Sequence, residues 1–92
     1  MAKLIDFKIQ APAEMLDSMI ANLRGERNAI HNQLDEVYES IHSLRMERMR
    51  GSKIDEERMR ELYELEEYLE DNLRGINFMI RRLLSEKFEL DL

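Results

Sequence analysis

Residues 12–50 read PAEMLDSMIANLRGERNAIHNQLDEVYESIHSLRMERMR, and the spacing of their apolar side chains decides the fold. Leu16, Leu23, Ile30, Val37 and Leu44 recur every seven residues, and Ile20, Arg27, Leu34, Ile41 and Arg48 run between them. Alternating steps of four and three keep one seam on one side of an α-helix for about five heptads. At 1.5 Å per residue such a helix spans about 55 Å. Pro12 suits its first turn, where a missing N–H is not needed. Gly25 is the weak point, about 1 kcal/mol poorer than Ala in a helix interior.

Working outward, Gly51-Ser52 interrupts the pattern, and Gly51 can take a left-handed helix cap. Asp55 is placed to N-cap a second helix, with Glu56 and Glu57 at its positive end and Ile54 and Met59 at the two positions of a hydrophobic staple. That helix is expected over 55–87, with a seam of Leu62, Leu65, Leu69, Leu73, Ile76, Ile80 and Leu83. The successive fours at Leu65–Leu69–Leu73 read as a stutter in a left-handed supercoil. A turn as short as 51–54 folds the helices back antiparallel. The sequence therefore predicts one all-α domain over residues 1–92, a long coiled-coil-like antiparallel hairpin.

The ends read differently. Ile5, Phe7 and Ile9 alternate with Asp6, Lys8 and Gln10, which predicts a short strand or extended arm over 1–10. Phe88, Leu90 and Leu92 alternate with Glu89 and Asp91, which predicts an extended tail over 88–92 able to pair with the first strand. An internal echo, Asn22-Leu23-Arg24-Gly25 against Asn72-Leu73-Arg74-Gly75, returns at an offset of fifty. Folding about residues 52 and 53 sets residue i opposite 105 − i, so Gly25 would face Ile80 and Gly75 would face Ile30, each glycine a notch for an isoleucine.

Composition narrows the function classes. With 37% charged and 43% hydrophobic residues the chain is too apolar for disorder and too charged for a membrane protein. No apolar run approaches the roughly 20 residues of a membrane span. Met1–Gln10 carries Lys3, Asp6 and Lys8, which spoils the apolar centre of a signal peptide. The absence of cysteine removes disulfides, thiolate catalysis and sulfur-ligated metals. These features fit a complete small cytoplasmic protein, of a host cell if viral. A net charge of −6 disfavours non-specific nucleic-acid binding.

No catalytic constellation is present, and no cofactor is expected. Glu39-Ser-Ile-His42 has the Glu-x-x-His spacing of diiron bundles, but the register puts both on the outer face, and the second seam offers leucine and isoleucine where carboxylates are needed. His31 flanks the seam beside Ile30 and Leu34 and reads as a boundary residue. There is no Ser–His–acid triad pattern and no Gly-rich phosphate loop. The Arg-rich tip, with Arg45, Arg48, Arg50, Lys53, Arg58 and Arg60, is interspersed with Glu47, Asp55, Glu56 and Glu57, which argues against direct nucleic-acid contact.

Two surfaces remain. Met15, Leu16, Met19, Ile20 and Leu23, with Ile76, Met79, Ile80 and Leu83, make apolar stripes wider than one antiparallel neighbour covers, and they predict a dimer interface at the open end of the hairpin. Asp35, Glu36 and Glu39, with Glu61, Glu64, Glu66, Glu67, Glu70 and Asp71, lie in stretches without Lys or Arg and predict an acidic surface for a basic partner protein. The expected function is a non-enzymatic protein–protein interaction module acting as a helical-hairpin homodimer. The alternatives are a small acidic inhibitor of the viral anti-defence kind, occupying the basic nucleic-acid site of a target, and a metal-binding helical bundle.

Overall fold

A computed structural model describes residues 2–91, with side chains for 13–90. Two helices, α1 (Ala2–Met49) and α2 (Glu56–Asp91), form an antiparallel hairpin, and no strand occurs among the described residues. At 1.5 Å per residue the 48 residues of α1 give about 72 Å, which matches the 72 Å length of the molecule. The other extents are 25 and 15 Å, so the body is a single layer of two helices. Its radius of gyration is 20.8 Å, against roughly 12 Å for a compact domain of this length.

The turn forms as its chemistry demands. Gly51 has φ 87°, and the N–H groups of Gly51 and Ser52 donate to the carbonyls of Arg48 and Glu47 at 3.0 and 3.1 Å, a Schellman closure. Asp55 Oδ1 accepts the Arg58 N–H at 3.0 Å, the N-cap bond expected for α2. Met59 is buried and Ile54 packs against the same apolar cluster, completing the staple. Arg48 clamps the turn through both carboxylate oxygens of Glu56 at 2.7 and 2.8 Å.

The register follows. Four cross-helix pairs, Asp17–Lys87, Tyr38–Glu70, Arg45–Tyr63 and Arg48–Glu56, have residue numbers totalling 104, 108, 108 and 104, close to 105. With Asp17 level with Lys87, residues 2–12 of α1 run past the end of α2.

The core lies along the seam in two clusters. Leu34, Val37 and Ile41 of α1 bury against Met59, Leu62 and Leu69 of α2 towards the tip, and Leu16, Ile20 and Leu83 bury together at the open end. Between them the seam carries half-buried Arg27 and Asn77, so apolar burial is interrupted midway. No helix among the described residues is long and apolar enough to cross a membrane.

Four expectations are corrected. The terminal strands are absent: residues 2–10 belong to α1 and 88–91 to α2, while Met1 and Leu92 lie outside the described residues. An isolated strand needs a partner for its backbone groups, whereas a helix pairs them internally, and three alternating residues are too weak a pattern to outweigh this. Pro12 accordingly lies within α1 and not in its first turn. The stutter is also absent. Leu65 is 42% exposed, and half-buried Glu66 holds the seam position instead, giving unbroken 3-4 spacing through Met59, Leu62, Glu66, Leu69 and Leu73. A glutamate stem can cover apolar surface while its carboxylate stays wet. Finally, a Cβ on Gly25 or Gly75 would meet nothing within 4 Å, so neither glycine is a notch. The register brings each level with an isoleucine, but helical rotation turns both towards open space.

Candidate interaction surfaces

The two long flanks of the hairpin differ in chemistry, and heptad spacing tells them apart. On α1, Asp17, Arg24, His31, Tyr38 and Arg45 are seven residues apart. Asp17 pairs with Lys87 at 2.6 Å, and the Tyr38 hydroxyl donates to Glu70 Oε1 at 2.8 Å. Arg45 donates to the Tyr63 oxygen at 2.7 Å, with its guanidinium 5.6 Å from the ring centroid. This is a polar flank, clasped across the helices. The bond to the Glu70 carboxylate, followed by burial and the negative charges of Glu70, Glu66 and Asp35, raises the Tyr38 phenol above its ordinary 10.0.

The opposite flank is a run of shallow grooves. One is lined by Met15, Leu16, Met19, Glu86, Glu89 and Leu90, and the next by Glu26, Ala29, Ile30, Gln33, Asn72 and Ile76. A third, nearer the tip, includes Ser40, Leu44, Arg58 and Leu62. Met19, Glu26, Gln33 and Ser40 lie seven apart on α1, and Arg58, Leu65, Asn72, Met79 and Glu86 seven apart on α2, so all three grooves share one flank. Met15 is 55% exposed here, Met79 48% and Leu90 54%.

The sequence-predicted dimer residues therefore divide. Leu16, Ile20, Ile80 and Leu83 are buried, and Leu23 is half-buried against the open-end cluster, so these serve the intrachain core. Met15, Met19 and Met79 stay exposed and Ile76 half-buried, all beside the grooves. Leu65 and Leu90 join them. Extending the Met79 line back seven residues at a time reaches Leu65, and continuing α2 past Lys87 carries the Leu83 line to Leu90.

The acidic residues do not make one face. Glu64, Glu67 and Asp71 follow helical spacing on the side of α2 away from α1, while Asp35 and Glu39 sit on the side of α1 away from α2. Three of the nine acids have a partner: Asp71 with Arg74, Glu61 with Arg58, and Glu70 with Tyr38. No group of three or more potential metal ligands converges among the described residues, so the Glu39–His42 pair gains no third donor. Compared with known protein families, curated proteins and solved structures, the chain matches none.

Proposed function

We propose that this chain is a non-enzymatic protein–protein interaction module that works as a homodimer, with the groove flanks of two hairpins packed into four helices. The observation that carries the proposal is the asymmetry between flanks: Asp17, Tyr38 and Arg45 clasp one side, and Met15, Met19, Leu65, Met79 and Leu90 remain exposed on the other. A single layer of two helices leaves each helix with an uncovered apolar shoulder, and a second layer is the usual way to bury it. Methionines suit such a surface because their unbranched side chains adapt to an opposing one. Acidic inhibition of a nucleic-acid-binding target draws less support, because the two acidic rows point in opposite directions.

Gel filtration with light scattering tests the proposal. At about 500 mM salt, where contacts between exposed charges are screened, the wild-type chain should give twice 11.1 kDa. Met19→Glu with Met79→Glu should give a single chain mass while circular dichroism keeps its helical signal. A wild-type monomer at micromolar concentration would refute dimer formation.

A further inference from the structure

The side of α2 that faces away from α1 carries Glu64, Glu67, Asp71, Arg74, Phe78 and Arg81 at steps of 3, 4, 3, 4 and 3, all exposed, with Phe78 at 60%. The stripe has an order: three acids, then two arginines with an aromatic ring between them. Reversed about the point between Asn72 and Leu73, it becomes complementary to itself. Glu64 then stands level with Arg81 and Asp71 with Arg74, two pairs of opposite charge, while Glu67 stands level with the uncharged ring of Phe78. From this we infer that the outer stripe of α2 is a second self-association surface, on which another copy docks antiparallel about a two-fold axis beside Asn72–Leu73.

Charge decides the occupant. A basic partner would match only the acidic half, and an acidic partner only the arginine half. A helix of the same sequence running the other way matches both, and a two-fold axis repeats each match. Glu64 and Arg81 have no ion-pair partner within the chain among the described residues, so they are free to make this contact. Asp71 and Arg74 already pair with each other, and beside the axis they would join their symmetry mates in a ring of four charges. Gly75, level with Glu70 in this antiparallel alignment, adds no side chain to the approach.

The inference rests on the proposal that the chain self-associates, but it uses a different face. A dimer closed on its groove flank still presents this stripe outward, so dimers join further through it. Such contacts between exposed charges are screened by salt, whereas apolar contacts between groove flanks are not.

The test is the mass of the full chain by light scattering at about 20 mM and about 500 mM salt, conditions that lengthen and shorten the screening distance. At low salt the mass should be at least four times 11.1 kDa, and at high salt it should fall to twice. Arg74→Glu with Arg81→Glu should hold the low-salt mass at twice. Adding Glu64→Arg and Asp71→Arg to the same chain should restore the higher mass, because the reversed stripe is again self-complementary. A salt-independent wild-type mass overturns the inference, as does failure of the fourfold reversal to restore association while helicity is unchanged. A single chain mass at high salt with salt-sensitive doubling at low salt removes the groove-flank dimer and leaves the stripe standing.

Discussion

Replacing Gly25 with alanine separates open surface from helix–helix notch. A Cβ there meets nothing within 4 Å, so alanine adds no clash. The change removes the glycine penalty in a helix interior, a gain of about 1 kcal/mol. For a domain of this size that raises the melting temperature by about 4–8 °C. The assay is thermal melting followed by helical circular dichroism at one fixed protomer concentration, because self-association makes the midpoint concentration-dependent. A urea titration should show a higher midpoint at unchanged slope, as expected when only stability changes. Gly25→Leu sharpens the contrast. On an open surface it should also stabilise, by slightly less, whereas a notch filled by Ile80 would be overpacked at a loss of about 1–3 kcal/mol. A lower melting temperature for either variant would refute the open placement and show that something covers this side of α1.

Other outcomes follow from the core, the cap and the polar flank. Ile41 is 3% exposed in the larger cluster, so Ile41→Ala should cost about 2–5 kcal/mol by urea denaturation. Leu84→Ala, at a position 39% exposed, should cost under about 1 kcal/mol. Asp55→Ala removes the acceptor for the Arg58 N–H and should lower stability by about 0.5–2 kcal/mol in the same titration. The Tyr38 phenol is raised in the folded chain, so its contribution is fully present below pH 10.0 and is lost as pH rises through the folded-state value. Alkaline unfolding curves should therefore show a shallower decline above pH 10.0 for Tyr38→Phe than for the wild type; parallel curves would contradict the shift.

Much of this molecule is decided locally and is legible in the chain itself. The heptads of residues 12–50 specify a helix because only a 3.6-residue period brings Leu16, Ile20, Leu34 and Ile41 onto one side. Gly51 and Asp55 end one helix and begin the next through bonds made within a few residues, so the turn, the antiparallel fold-back and the register near 105 follow from sequence alone. The terminal segments misled because three alternating residues suit either secondary structure, and the choice depends on whether a partner strand exists. Only the tertiary structure decided rotation about each helix axis. A rotation of a few tens of degrees moves Leu65 out of the seam and Glu66 in, and turns Gly25 and Gly75 to open space. The same rotation sends the cross-helix bonds of Asp17, Tyr38 and Arg45 to one flank and leaves the methionines on the other. Spacing along a chain identifies which residues share a line. Where that line points relative to the neighbouring helix is set by the packing of both helices together, and on it depends which surface is left for another protein.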